Sequence, residues 1–248
     1  MIYPSPHDIE TAALRAWPGI EVEWDGAWVR RAAGGYTKRA NSLQCFDPVD
    51  GADARQRLDL AVEWFRARAL PPVVRSTPLD SPALNAVLDA NGWTVIDHSH
   101  LYATPIGAPE PDAQGRISSV LDPQFLAAQQ GLRGYDDATL ARLRALLAAM
   151  AVPAAGIVVH RDGAPVATGL MAVADGIVVA GNVITDPGRR RQGLAAAMMQ
   201  TGLAWAKAQG AHTAALNVQA GNAAAKALYA SLGYRHRYDY AYRVPGPP

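Results

Sequence analysis

Asp186-Pro187-Gly188-Arg189-Arg190-Arg191-Gln192-Gly193-Leu194-Ala195 is the stretch on which the fold turns. It follows the apolar, β-branched run Ile177 to Thr185 and precedes helical spacing from Leu194 to Gln209, so it predicts a strand, a turn and a helix in succession. Small residues at 193 and 195 let the backbone come close to a ligand. The first turn of the helix offers unpaired N–H groups at the positive end of its dipole. Such a turn selects an anion, and three neighbouring arginines suit a pyrophosphate and a further phosphate better than a single carboxylate. A solvated Arg-rich loop before an ordinary helix would carry the same residues, so the turn alone leaves both readings open.

Before the turn, Thr139 to Met150 predicts a helix with Asp136 and Asp137 at its N-terminus. Ile157 to His160, Val166 to Val173 and Ile177 to Thr185 predict an antiparallel meander, because Asp162-Gly163 and Asp175-Gly176 suit tight hairpin turns. After it come the helix, a strand from Thr213 to Val218, a helix from about Ala223 to Leu232 and a Tyr-rich strand from Tyr234 to Arg243. The first half predicts a matching series: strands at Ile20 to Trp24, Trp28 to Ala33 and Tyr36 to Phe46, a helix at Ala54 to Ala69, a strand near Val73, a helix at Ser81 to Ala90 and a strand at Trp93 to Tyr102. A shift of 141 residues brings the two series into one register without a gap, placing Trp64 on Trp205, Asn41 on Asn182 and Gly92 on Gly233. The expected organisation is two copies of one unit, residues 1–103 and 116–248, joined by a linker over 104–115 whose three prolines and two glycines break regular structure. Pro245 to Pro248 reads as a frayed end.

Composition narrows the function. Half of the 248 residues are hydrophobic and 18% are charged, which excludes a mainly disordered chain. A net charge of +1 gives no basic excess for nucleic acid. The longest uncharged apolar run, Ala145 to Val159, is shorter than the roughly 18 residues a span requires and is interrupted by Pro153 and Gly156, so no membrane partner is expected. Cys45 is the one cysteine, and no basic-then-apolar leader opens the sequence, so the expected location is cytoplasmic and the expected form a monomer or homodimer.

Two motifs carry a family resemblance. Arg190-Arg191-Gln192-Gly193-Leu194-Ala195 resembles the (Gln/Arg)-x-x-Gly-x-(Gly/Ala) motif of the GCN5-related N-acetyltransferases (GNATs). Asn222-Ala223-Ala224-Ala225-Lys226-Ala227-Leu228-Tyr229-Ala230-Ser231-Leu232-Gly233-Tyr234 resembles the family's Asn-x-x-Ala-x-x-Leu-Tyr-x-x-x-Gly-(Phe/Tyr) segment at every fixed position. The resemblance covers about residues 116–243 and implies an α+β fold, a mixed and mostly antiparallel sheet flanked by helices, with acetyl-CoA as co-substrate. It implies that the backbone of Val183, Ile184 and Thr185 pairs with the pantetheine arm and that Arg190 and the amides of Arg191, Gln192, Gly193, Leu194, Ala195 and Ala196 hold the pyrophosphate. Asn222 would hydrogen-bond the pantetheine arm and Tyr229 would protonate the leaving thiolate. Asn222 is also an ordinary helix N-cap, and Tyr229 an ordinary packed aromatic.

The implied reaction is attack of an uncharged amine on the thioester, the acceptor being a primary amine of a small molecule or peptide. The Glu that often serves as base on the family's fifth strand is replaced by Asn217, which cannot take the proton, and no glutamate lies between Pro111 and Pro248. The base is then an Asp, a His, a tyrosine through water or solvent itself; Asp136 and Asp239 are the named candidates, though a helix cap and a surface ion pair are their simpler roles. His98 and His100 share a strand face without a visible third ligand, so no metal is expected. Without the usual base, a CoA-binding sensor or scaffold is the alternative. A nucleotide-binding turn fits poorly, since no Lys-Ser/Thr follows Gly193. The first half carries Val49 to Ala54 at the place of the Arg-rich turn and Leu88 at that of Tyr229, so it is expected to shape the acceptor site without binding CoA.

Overall fold

A computed structural model describes residues 3–246; Pro247 and Pro248 of the tail lie outside them. Near the N-terminus, Ser5 Oγ accepts from the Asp8 amide at 3.2 Å and the Asp8 carboxylate accepts from the Ser5 amide at 2.8 Å, a reciprocal cap with Pro6 at the first helical position. These contacts launch α1 (Pro6–Ala16), whose Ile9, Ala12, Ala13 and Ala16 recur at helical spacing and are buried. Then follow β1 (Glu21–Asp25), β2 (Trp28–Ala32), β3 (Leu43–Cys45), α2 (Ala54–Arg66), β4 (Val74–Ser76), α3 (Pro82–Ala90) and β5 (Thr94–Pro105). The second half runs β6 (Gly115–Ser118), α4 (Pro123–Arg133), α5 (Asp137–Ala148), β7 (Ala154–Arg161), β8 (Ala164–Ala174), β9 (Ile177–Thr185), α6 (Leu194–Ala208), β10 (Thr213–Gln219), α7 (Ala223–Ser231) and β11 (Arg235–Val244).

One sheet holds every strand, in the order β1-β2-β3-β4-β11-β5-β10-β9-β8-β7-β6. Among the described residues only β3–β4 and β9–β10 pair in parallel, so the α+β expectation of a mixed, mostly antiparallel sheet holds. The order is nearly symmetric about its centre. β5, the last strand of the first half, lies between β10 and β11, while β11, the last strand of the second, lies between β4 and β5. Each half thus completes the other's sheet. Under the 141-residue shift, β2, α2, β4 and α3 fall within β8, α6, β10 and α7, and β5 starts where β11 starts.

Helices α6 and α7 cover one face of the second-half strands, burying Met198, Met199, Leu203 and Tyr229 against Met171, Val178 and Leu216. The opposite face takes α1 over Leu101, Ala172, Val179 and Ala215, and beside it Phe125 of α4 and Leu143, Leu146 and Leu147 of α5 pack on Val158 and Leu170.

Two sequence expectations need correction, and two helices join the expected series. The run Tyr36 to Phe46 is a strand only over Leu43–Cys45, because Asn41 Oδ1 accepts from the Ala33 and Gly35 amides at 2.7 and 3.0 Å and folds the preceding residues into a loop. The linker is shorter than 104–115, since β5 runs to Pro105 and β6 begins at Gly115. The added helices are α1 and α4, and Ser5-Pro6 and Asp122-Pro123 both carry the cap-then-proline start that launches them.

Candidate active site

The parallel pairing of β9 with β10 runs from Ile177–Thr213 to Ala180–Leu216 and stops there. Both strands continue, so they part at Gly181 and Asn217, and the backbone of Val183, Ile184 and Thr185 has no strand partner on the β10 side. A bulge marks the fork: Asn182 has φ 49°, and the β8–β9 register slips between Thr168 and Leu170. Buried Gln129 of α4 pins this bulge, its Nε2 donating to the Asn182 carbonyl and to Thr168 Oγ1, each at 3.2 Å.

The turn that follows is built for open amides. Asp186 Oδ1 accepts from the Gly188 amide at 2.8 Å, and a single 3-10 turn, Pro187–Arg189, leads to left-handed backbone at Arg191 (φ 61°) and Gly193 (φ 72°). Gly193 is the N-cap of α6 and has no side chain to satisfy the first-turn N–H groups of Leu194, Ala195 and Ala196. A Cβ at Gly193 would meet no atom within 4 Å, so the space over the helix end is clear. Arg189 is committed to Asp162 at 3.2 Å, whereas Arg190 and Arg191 form no ion pair among the described residues. Of the three arginines, two are available to an anion.

Tyr229, on α7, belongs to the same apolar cluster as Leu194, Ala180 and Leu216, with Val183 packed against it. Its ring packs 5.8 Å from that of Tyr234 within this cluster. The hydroxyl makes no hydrogen bond among the described residues, and burial pushes its pKa up to about 12. Asn222 caps α7, its Oδ1 accepting from the Ala225 amide at 3.0 Å, which leaves its amide nitrogen as the group able to meet a ligand.

Asn217, at the fork, is not isolated. Arg75 Nη2 lies 3.4 Å from Asn217 Oδ1 and 3.0 Å from Oε1 of Glu10, while Glu10 also accepts from Gln44 Nε2 at 2.9 Å and Tyr238 Oη at 2.8 Å. Glu10, Arg75 and Gln44 are buried, so the glutamate absent from the second half is supplied to this neighbourhood by α1. Sequence reading missed it, although Glu10 sits beside the apolar stripe of α1. The loop after β2 also reaches the fork: Tyr36 Oη lies 2.8 Å from Tyr135 Oη and accepts from Asn182 Nδ2 at 3.4 Å. No motif marks Tyr36.

The two proposed bases are otherwise engaged. Asp136 is exposed and accepts from the Thr139 amide at 2.7 Å, and its bonds to Thr139 hold its pKa below the usual carboxylate range. Asp239 is depressed by hydrogen bonds, that of His100 first and that of His236 next. His98 is exposed, while His100 meets His236 and Asp239 of β11.

Known proteins resemble this chain. The uncharacterized N-acetyltransferase YobR of Bacillus subtilis (strain 168) is 22% identical over 246 residues, spanning 95% of this chain and 97% of YobR. Among solved structures, a GCN5-related N-acetyltransferase from Kribbella flavida superposes with a TM-score of 0.71 at 23% identity, covering 97% of this chain and 96% of that one. A tandem GNAT protein from the clavulanic acid biosynthesis pathway gives 0.64 at 13% identity over 84% and 76% of the two chains. A family model described as probable histone acetyltransferase Rv0428c C-terminal matches residues 7–243, and on that match the chain belongs to this acetyltransferase family.

Proposed function

We propose that the chain transfers an acetyl group from acetyl-CoA to a primary amine of a small molecule or peptide, using the fork between β9 and β10. The observation that carries this reading is the convergence of a split parallel strand pair, an uncapped α6 terminus and the unbonded Tyr229 hydroxyl on one apolar cluster. The residues fit acetyl-CoA at each end. Free backbone at Val183, Ile184 and Thr185 offers strand-like hydrogen bonds to the amides of a pantetheine arm, and the N–H groups from Arg191 to Ala196, with Arg190 and Arg191, match a pyrophosphate.

Acetyl-CoA supplies an activated thioester carbonyl, and attack by the amine nitrogen expels the CoA thiolate. Tyr229 stays protonated throughout the neutral range and can give a hydrogen bond, then a proton, to that sulfur, and water then returns a proton to the phenolate. Asn222 orients the pantetheine arm through its amide nitrogen. The incoming amine loses its proton to water, since Asn217 cannot accept it and Asp136 and Asp239 are tied into other contacts.

The two halves are copies of one unit in this reading, and the first copy closes the acceptor side of the second. The Tyr36–Tyr135 pair forms a polar wall at the bulge, and burial together with the Tyr135 bond keeps Tyr36 protonated. An amine panel followed by free-thiol release tests the proposal. Amine-dependent thiol production supports it; binding of acetyl-CoA without turnover of any amine would replace it with a CoA-binding sensor or scaffold.

A further inference from the structure

Away from the fork, the central strand pair gathers a set of ligands that the linear sequence keeps far apart. His100 stands directly opposite Asp239 in the β5–β11 register, and His100 Nδ1 lies 2.5 Å from Asp239 Oδ1. His236 comes from the same strand as Asp239, three residues earlier. In a regular strand an odd separation puts two side chains on opposite faces. Here the register slips between His236 and Tyr238, because Arg237 is an extra residue in β11, and the bulge turns His236 to the Asp239 side. His236 Nε2 then lies 2.6 Å from the same Oδ1.

We infer that His100, His236 and Asp239 form a three-ligand site for a divalent transition-metal ion, best matched by Zn²⁺, clasping β5 of the first half to β11 of the second. The three ligand atoms all lie within 4.8 Å of one another. Tetrahedral ligands about 2.1 Å from zinc stand roughly 3.4 Å apart, a separation these side chains reach by small rotations. Two imidazoles and one carboxylate are a donor set for zinc and its neighbours in the transition series, and are ill suited to Mg²⁺ or Ca²⁺, which prefer oxygen. The Asp239 side chain is 70% exposed and that of His236 46%, so an ion can enter and keep water in its fourth position. The rings of His100 and His236 both pack edge-on to Tyr102, at 6.3 and 5.8 Å between centroids, which limits their rotation before an ion arrives.

The test is a Zn²⁺ titration of the chelator-stripped, full-length chain against a chromogenic chelator, with Co²⁺ absorption as a second readout. One ion per chain is expected. His100→Ala, His236→Ala and Asp239→Ala should each weaken binding at least tenfold and abolish the Co²⁺ spectrum, while His98→Ala retains both. Zn²⁺ should also raise the Tm of the wild type and leave that of Asp239→Ala unchanged. A cooperative thermal melt without metal verifies that each variant is folded. Wild-type binding no tighter than that of the Asp239→Ala variant, or an equal loss in His98→Ala, would overturn the site and leave a hydrogen-bonded His-Asp-His cluster.

Discussion

Tyr229 and Asp80 show how burial sets the chemistry of single residues in this chain. For Tyr229, desolvation raises the pKa to about 12 and keeps the proton on the oxygen, from which the proposed mechanism passes it to the departing thiolate. Tyr229→Phe should lower kcat by about 10²–10⁴ with little change in acetyl-CoA affinity, measured by thiol release. Equal turnover would return Tyr229 to a packing role. Asp80 has no such use: its Oδ2 is buried without a hydrogen-bond partner among the described residues, and burial lifts its pKa to about 7, well above the unfolded value near 4. The folded state therefore holds this proton more tightly than the unfolded chain. Ionised Asp80 costs stability above about pH 7, and the cost fades as pH falls from 7 towards 4. Asp80→Asn should raise unfolding stability at pH 8 by a few kcal/mol and remove this slope, as urea titrations across that range would show; an unchanged profile would mean that Asp80 is solvated. At this scale the motif residues were legible, because their spacing reports local backbone. Arg189 was not, since its partner Asp162 lies across a hairpin, and Glu10 was not, since its partners lie on three distant strands.

Among the elements, the turn into α6 carries the sharpest dependence on one residue. Gly193 holds φ 72° and leaves clear space, so a bulky β-branched side chain there would strain the backbone and cover the helix end. Gly193→Val should leave the apo protein folded, at a cost of about 1–2 kcal/mol, and abolish the stabilisation of about 2.7 kcal/mol predicted for acetyl-CoA at a hundred times its dissociation constant. A thermal shift retained in full would remove this turn from the cofactor site. The strand, turn and helix around Gly193 and the Asn222 to Tyr234 segment were readable from sequence because each signal lies within a few residues. Pairing partners were not readable in the same way: nothing local to β5 or β11 says that each lies beside the other half's strands. The Tyr36 to Phe46 stretch misled for a related reason, as its strand-like residues are captured by one Asn41 side chain.

The whole molecule is held together by that crossing of strands and by a charged cluster beneath it. Glu10 is the buried carboxylate beside Arg75, and Arg31 is bonded through Gln44 in the same chain of contacts, where burial first, and then Arg75, push the Arg31 pKa down to about 9. Glu10→Gln removes the negative charge while two guanidinium groups stay buried, so it should destabilise the full chain by about 3–5 kcal/mol in urea unfolding. A loss within experimental error would show that solvent reaches the cluster. GNAT architecture accounts for the second half in sequence terms, and the coincidence of elements under the 141-residue shift supports reading the first half as a copy that has kept the strands and lost the turn. Arg190 to Ala195 is answered there by Val49-Asp50-Gly51-Ala52-Asp53-Ala54, whose aspartates would repel a pyrophosphate. The most direct measurement is therefore calorimetric titration of the full-length chain with acetyl-CoA. One site per chain is the predicted stoichiometry, and either two sites or none would contradict a single functional fork between β9 and β10.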